Sequence, residues 1–113
     1  MVKSKKRQIS ENGFLKITKE FIVYVDVDNT LMGTHEGKEV PLRGTIKMLK
    51  QLHEKGFELY CWSQCGKEYA KFVCDWLGIS DLFQAFLPKP NMIIDDHEWS
   101  EWCGQRIDPK ELG

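Results

Sequence analysis

No apolar run in this 113-residue chain is long enough to cross a bilayer; stretches such as Phe21 to Val25 stop after five residues. The opening Met1-Val2-Lys3-Ser4-Lys5-Lys6-Arg7 has no apolar core behind its charges, so it is not a secretory signal. The four cysteines form no CxxC pair, which removes a zinc ribbon and a dithiol redox motif and leaves buried or spare thiols. Internal repeats and low-complexity tracts are missing as well. A soluble, cytoplasmic protein without a membrane anchor is the expectation.

No sign of charge dominates either, with a net charge of −1. That balance hides an asymmetry, because residues 1–20 hold six Lys/Arg against two Glu while the rest carries an excess of acids. The basic head could meet nucleic acid or another polyanion, or be a solvated tail; the acidic body argues against a broad nucleic-acid face. With 42% hydrophobic residues and 12% aromatics, one core can form. We expect residues 1–19 to be a basic arm and residues 20–113 a single domain. Phe14-Leu15-Lys16-Ile17 reads either as an edge strand or as a docking arm.

From Phe21 onward, β-type and helical patterns alternate, which predicts an α/β fold with a mainly parallel sheet. Phe21-Ile22-Val23-Tyr24-Val25 is a run of β-formers and reads as a buried strand. Pro41 opens a helix to about Glu54 with Ile46, Met48, Leu49 and Leu52 as its apolar stripe, and Gly56 ends it. Phe57 to Trp62 is a second strand, with Trp62 as packing. Lys67 to Leu77 is an amphipathic helix whose apolar side carries Tyr69, Phe72, Val73 and Trp76, stopped by Gly78. Phe83 to Leu87 predicts a third strand and Met92-Ile93-Ile94-Asp95 a fourth. Trp99 and Trp102 predict a short helix with both rings packed in the core or at its rim, before an irregular end at Pro109.

Ligands of open α/β sheets bind beyond the carboxyl ends of the strands. There the first strand delivers Asp26-Val27-Asp28-Asn29-Thr30, the second Ser63, and the fourth Asp95 and Asp96, with Lys89 in the turn before the last. Phosphoryl transfer through a covalent intermediate needs an oxygen nucleophile, a proton donor for the leaving group, a hard cation, and donors on the equatorial oxygens. Asp26 suits the first role and Asp28 the second. Acids gathered from two strand ends repel unless a divalent ion lies among them, which favours magnesium on Asp26, Asp28 and Asp95 or Asp96. Lys89, Ser63, and the N–H groups of the Asp28 and Gln64 turns would hold phosphate.

Two other chemistries fail on the residues themselves. With Asp26 as the first position of a calcium loop, Leu31 falls where glycine is required and Gly37 where glutamate is. Trp62-Ser63-Gln64-Cys65-Gly66 lacks the first glycine of a nucleophile elbow. His35, His97 and Arg43 are surface or capping residues unless substrate reaches them. Trp99 and Trp102 could also stack on a base.

Asp26-x-Asp28-x-Thr30-Leu31 after an apolar strand, then Ser63, then Lys89, then Ile93-Ile94-Asp95-Asp96, resembles the four ordered motifs of the haloacid dehalogenase superfamily. The resemblance covers roughly residues 20–98. It implies a Rossmannoid three-layer α/β/α fold and a magnesium-dependent phosphomonoesterase that forms an aspartyl phosphate on Asp26. Asp28 would then be acid/base, Ser63 and Lys89 would bind phosphate, and Asp95 or Asp96 would meet the metal. Between Thr30 and Ser63, and between Ser63 and Lys89, the predicted elements use up the chain, so no cap domain fits. The capless branch often acts on macromolecules or is closed by a neighbouring subunit. Substrates divide among phosphorylated nucleic-acid ends, nucleotides, phosphoproteins and small phosphoesters; the alternative is a non-catalytic domain of the same fold.

Overall fold

The computed structural model describes residues 21–113 and, within the first twenty, the backbone of two short strands. These are β1 (Arg7–Ile9) and β2 (Leu15–Ile17), paired antiparallel with Arg7 opposite Ile17 as a sheet of their own. The basic arm and its role otherwise lie outside the described residues. Among the described residues, no helix is long and apolar enough to cross a membrane.

The strand expected at Phe21–Val25 is β3 (Ile22–Val25), and it pairs in parallel with β6 (Glu58–Ser63), Val25 lying opposite Cys61. On the far side of β6 runs β7 (Phe83–Pro88), again parallel, with Ser63 opposite Pro88. The main sheet therefore has the order β3-β6-β7. Two helices make the crossovers: α1 (Arg43–Glu54) and α2 (Lys67–Leu77).

Strand order rising in one direction, joined by right-handed crossovers, carries both helices to the same face of the sheet. Burial along β6 agrees, because Leu59, Cys61 and Ser63 are covered while Glu58, Tyr60 and Trp62 are only partly so. Leu49 of α1 and Ala70, Val73 and Cys74 of α2 join Val25, Leu59, Cys61 and Phe83 in one core. Full burial of side chains such as Leu31 and Leu59 contributes on the order of 1.5–3 kcal/mol each. The opposite face keeps Ile22 and Tyr24 exposed. Among the described residues the fold is thus a two-layer α/β unit, and the expected third layer is not built.

The expected fourth strand is missing as well. Met92–Asp95 forms none, and Met92 and Ile94 are 78% and 94% exposed. A strand this short holds its shape only through a ladder partner. Pro88 and Pro90 on either side of Lys89 also withhold the N–H groups that would carry pairing onward.

The stretch from Asp28 to Leu42 contains a hairpin in addition to the expected elements. β4 (Met32–His35) and β5 (Lys38–Pro41) pair antiparallel, with Met32 opposite Pro41. Glu36 and Gly37 make the turn at φ 52° and 77°, the double left-handed geometry of a tight two-residue connection. Pro41 closes β5 rather than opening α1, which starts at Arg43 after an extended Leu42.

The buried side of α2 is also rotated from the expected one. Ala70, Val73 and Cys74 face the sheet, whereas Phe72 and Trp76 are about two-thirds exposed. Small Ala70 and Cys74 let the helix approach closely, and the bulkier rings stay outside. Trp99 and Trp102 are more than half exposed beside a single 3-10 turn, Trp99–Glu101, so neither is core packing. The tail ends in another such turn, Pro109–Leu112, capped by the Asp108 carboxylate and seated on α1 at Gly44. A Cβ there would run into the Leu112 carbonyl.

Candidate functional site

Three strand ends meet at one edge of the main sheet and bring Asp26, Ser63 and Lys89 together. Beyond β3 the chain wraps on itself: the Val27 carbonyl accepts from the N–H groups of Thr30 at 3.1 Å, Leu31 at 2.8 Å and Met32 at 3.1 Å. Asn29 takes φ 62°, a left-handed conformation its short polar side chain tolerates. Val27 and Leu31 are wholly buried and pin this loop from below. Their burial leaves Asp26 and Asp28, one residue to either side of Val27, turned outward.

Lys89 reaches Asp26 across the end of β6. Its N–H donates to the Ser63 carbonyl at 2.8 Å, which ties the chain after β7 to the neighbouring strand. Its ammonium then lies 3.6 Å from Asp26 Oδ1 and 5.8 Å from the centre of the Trp62 ring. Trp62 is held edge-on by Tyr24 at 4.7 Å, and Tyr24 stacks on Tyr60 at 5.3 Å. Trp62 is thus packing, as expected, and also a floor for the lysine. Asp26 is thus paired with a cation, whereas the Asp28 carboxylate is met by a neutral hydroxyl, that of Tyr69.

Ser63 is 2% exposed. Its Oγ accepts the Cys65 N–H at 2.9 Å, and its carbonyl also accepts the Gly66 N–H at 3.1 Å. Ser63 therefore organises the turn into α2 from beneath, and Gln64 is the exposed residue above it. The helix begins after Gly66 at φ 104°, with no side-chain cap on its first-turn N–H groups. Those donors, with the positive end of the helix dipole, form a surface that favours an anion.

The first turn of α2 also supplies Tyr69, whose hydroxyl donates to Asp28 Oδ1 at 2.8 Å. That bond, first among the causes, pushes the Tyr69 phenol up to about 12. Helical periodicity places Tyr69 on the apolar side of the helix. Its phenol was the available signal, since a half-buried tyrosine keeps a polar tip that seeks a partner.

Asp95 and Asp96 are not delivered by a strand end, because that strand does not form. Both are exposed, and with His97 they offer three ligand atoms within 4.8 Å of one another. Asp95 accepts the His97 N–H at 3.0 Å, while Asp96 lies 2.8 Å from His97 Nδ1. Asp26 and Asp28 stand outside that cluster among the described residues. His35 sits at the hairpin turn near Glu36, and Arg43 begins α1.

Behind the site, Cys61 and Cys74 face each other with sulfurs 3.8 Å apart. The Cys74 contact first, and burial next, push the Cys61 thiol far up, so it stays protonated. It is core rather than nucleophile.

The chain matches no family model, no curated protein and no solved structure. The site's geometry therefore bears the functional reading.

Proposed function

We propose that this chain is a magnesium-dependent phosphomonoesterase of haloacid dehalogenase type, working through an aspartyl phosphate on Asp26. The observation that carries the reading is the Lys89 ammonium 3.6 Å from Asp26 Oδ1, at the end of a parallel sheet. A lysine so placed steadies an attacking carboxylate and offsets the charge of an incoming phosphate. Gln64 and the N–H groups opening α2 supply further donors on the same edge.

In the first half-reaction an Asp26 oxygen bonds to phosphorus as the ester P–O bond breaks, and Asp28 protonates the departing alcohol. In the second, Asp28 takes a proton from water as that water attacks the phosphorus. Asp26 is then released together with inorganic phosphate. Ser63 keeps the turn and its donors in place.

Magnesium fits the donors present, since it takes one or two carboxylates together with waters and substrate phosphate. Asp26 would hold it, with Asp28 nearby and Asp95 or Asp96 added if their segment folds over the site. When bound, the ion neutralises phosphate charge and orients the ester.

A phosphoester panel with magnesium and with chelator tests the reading, using phosphorylated oligonucleotides, nucleotides, phosphopeptides and small esters. Release of phosphate only with magnesium, lost in Asp26→Asn, is the expected result. Absence of turnover across the panel would instead favour a non-catalytic domain of the same fold. That second reading draws on the separate placement of Asp95 and Asp96.

A further inference from the structure

We propose that Tyr69 is a positioning residue for Asp28, fixing its Oδ1 by a hydrogen bond so that Oδ2 is the oxygen that carries the proton. This rests on the phosphomonoesterase reading above and adds to it an element that no motif indicated.

Asp28 is exposed and sits in a loop. Left alone, an exposed carboxylate samples several rotamers, and each puts its proton in a different place. General acid catalysis tolerates little of that freedom, because the proton must lie within hydrogen-bond reach of the leaving oxygen. Tyr69 removes the freedom from outside the loop. It is half-buried on α2, a helix fixed against β6 and β7 through Ala70, Val73 and Cys74. Its hydroxyl reaches Asp28 Oδ1 at 2.8 Å from 41 residues away in sequence. Asp28 has no other hydrogen-bond partner on its side chain among the described residues, so this one bond selects the rotamer.

The bond also divides labour between the two oxygens. Oδ1 accepts from the phenol throughout. Oδ2 bears the proton, gives it to the alcohol oxygen as that P–O bond breaks, and regains one from the attacking water. No oxidant or further reactant enters, and the proton count closes over one turnover.

The test is the dependence of kcat/KM on the leaving group, measured with full-length protein and magnesium. That ratio covers steps only up to departure of the alcohol. An alkoxide needs protonation to leave, whereas p-nitrophenolate leaves without it. Tyr69→Phe, which keeps the ring and removes only the hydroxyl, is expected to lower kcat/KM for an alkyl phosphate such as glycerol phosphate by about tenfold. Its effect on p-nitrophenyl phosphate should be at least about fivefold smaller, a modest share of what general acids contribute. In an Asp28→Asn background the same substitution should have no further effect, the signature of two residues acting as one unit.

Equal losses on both esters, or an undiminished effect in the Asp28→Asn background, would make Tyr69 merely structural and overturn the inference. If wild type turns over both esters, Asp26→Asn turns over neither, and Tyr69→Phe matches wild type, the Tyr69 inference falls while the phosphatase reading stands. If wild type hydrolyses neither ester, both fall.

Discussion

Replacing Lys89 by methionine isolates charge from volume at the centre of the site. At 3.6 Å the attraction between Lys89 and Asp26 is about 4.6 kcal/mol at an effective dielectric of about 20, and about 1.2 kcal/mol in water. Both side chains are about one-third exposed, so desolvation and solvent screening cancel most of this for folding, and such pairs contribute about 0–1 kcal/mol net. The substitution should therefore shift the urea midpoint by an amount equivalent to no more than about 1 kcal/mol. Catalysis is different. In the proposed reaction a phosphate dianion approaches the Asp26 carboxylate, and the Lys89 charge offsets that repulsion. Loss of about 3 kcal/mol of transition-state stabilisation corresponds to about a hundredfold in rate. Steady-state kinetics on p-nitrophenyl phosphate with magnesium, beside urea denaturation, read both quantities. A rate loss below about fivefold, or a stability loss above about 2 kcal/mol, would show that Lys89 is a structural tie and refute the electrostatic argument.

Further outcomes follow from groups around the core. Thr45 Oγ1 is buried on α1 with no hydrogen-bond partner among the described residues, so the near-isosteric Thr45→Val should stabilise the protein by about 1 kcal/mol in urea denaturation. Cys65 and Cys103 are exposed while Cys61 and Cys74 are buried, so a thiol reagent should label two sites in the folded protein and four after denaturation. Asp75 is held below the usual carboxylate range, first by the Ser80 hydroxyl and then by Lys71 at 2.9 Å. A lowered folded-state pKa stabilises above the unfolded value near 3.8 and loses that contribution as pH falls through the folded value. Asp75→Asn should thus be less stable than wild type at about pH 7 and converge with it at about pH 2, compared by urea midpoints.

What could be read in advance was whatever a short window encodes. The β-formers ahead of Asp26, the Gly78 stop at φ 74° and the strands that end near Ser63 and Pro88 needed only local pattern, and each stands where expected. The hairpin at Met32–Pro41 has a local signal too, the Glu36-Gly37 turn, but a proline suits a helix start as well as a strand end, and Pro41 ends β5. For the buried face of α2, periodicity gives spacing and not phase. Phe72 and Trp76 are apolar at the right interval, yet only small residues such as Ala70 and Cys74 permit the close approach that α2 makes to β6 and β7.

Met92–Asp95 marks where such reasoning ends. Its residues have strand propensity, but propensity measures how well a residue suits a sheet position and supplies no neighbour. A strand at the edge of a parallel sheet gains its stability from a ladder and from burial, and this segment has neither, with Ile94 94% exposed. The same gap separates the two halves of the candidate metal site. Asp26 meets Lys89 beyond β7 and Asp28 meets Tyr69 on α2, whereas among the described residues Asp95 and Asp96 bond to His97, close by in the chain. Long-range contact, rather than residue type, distinguishes the acids that the fold holds in place from those it does not. For that reason substitutions at Asp26, Asp28, Tyr69 and Lys89 test the chemistry more sharply than substitutions at Asp95 or Asp96 would.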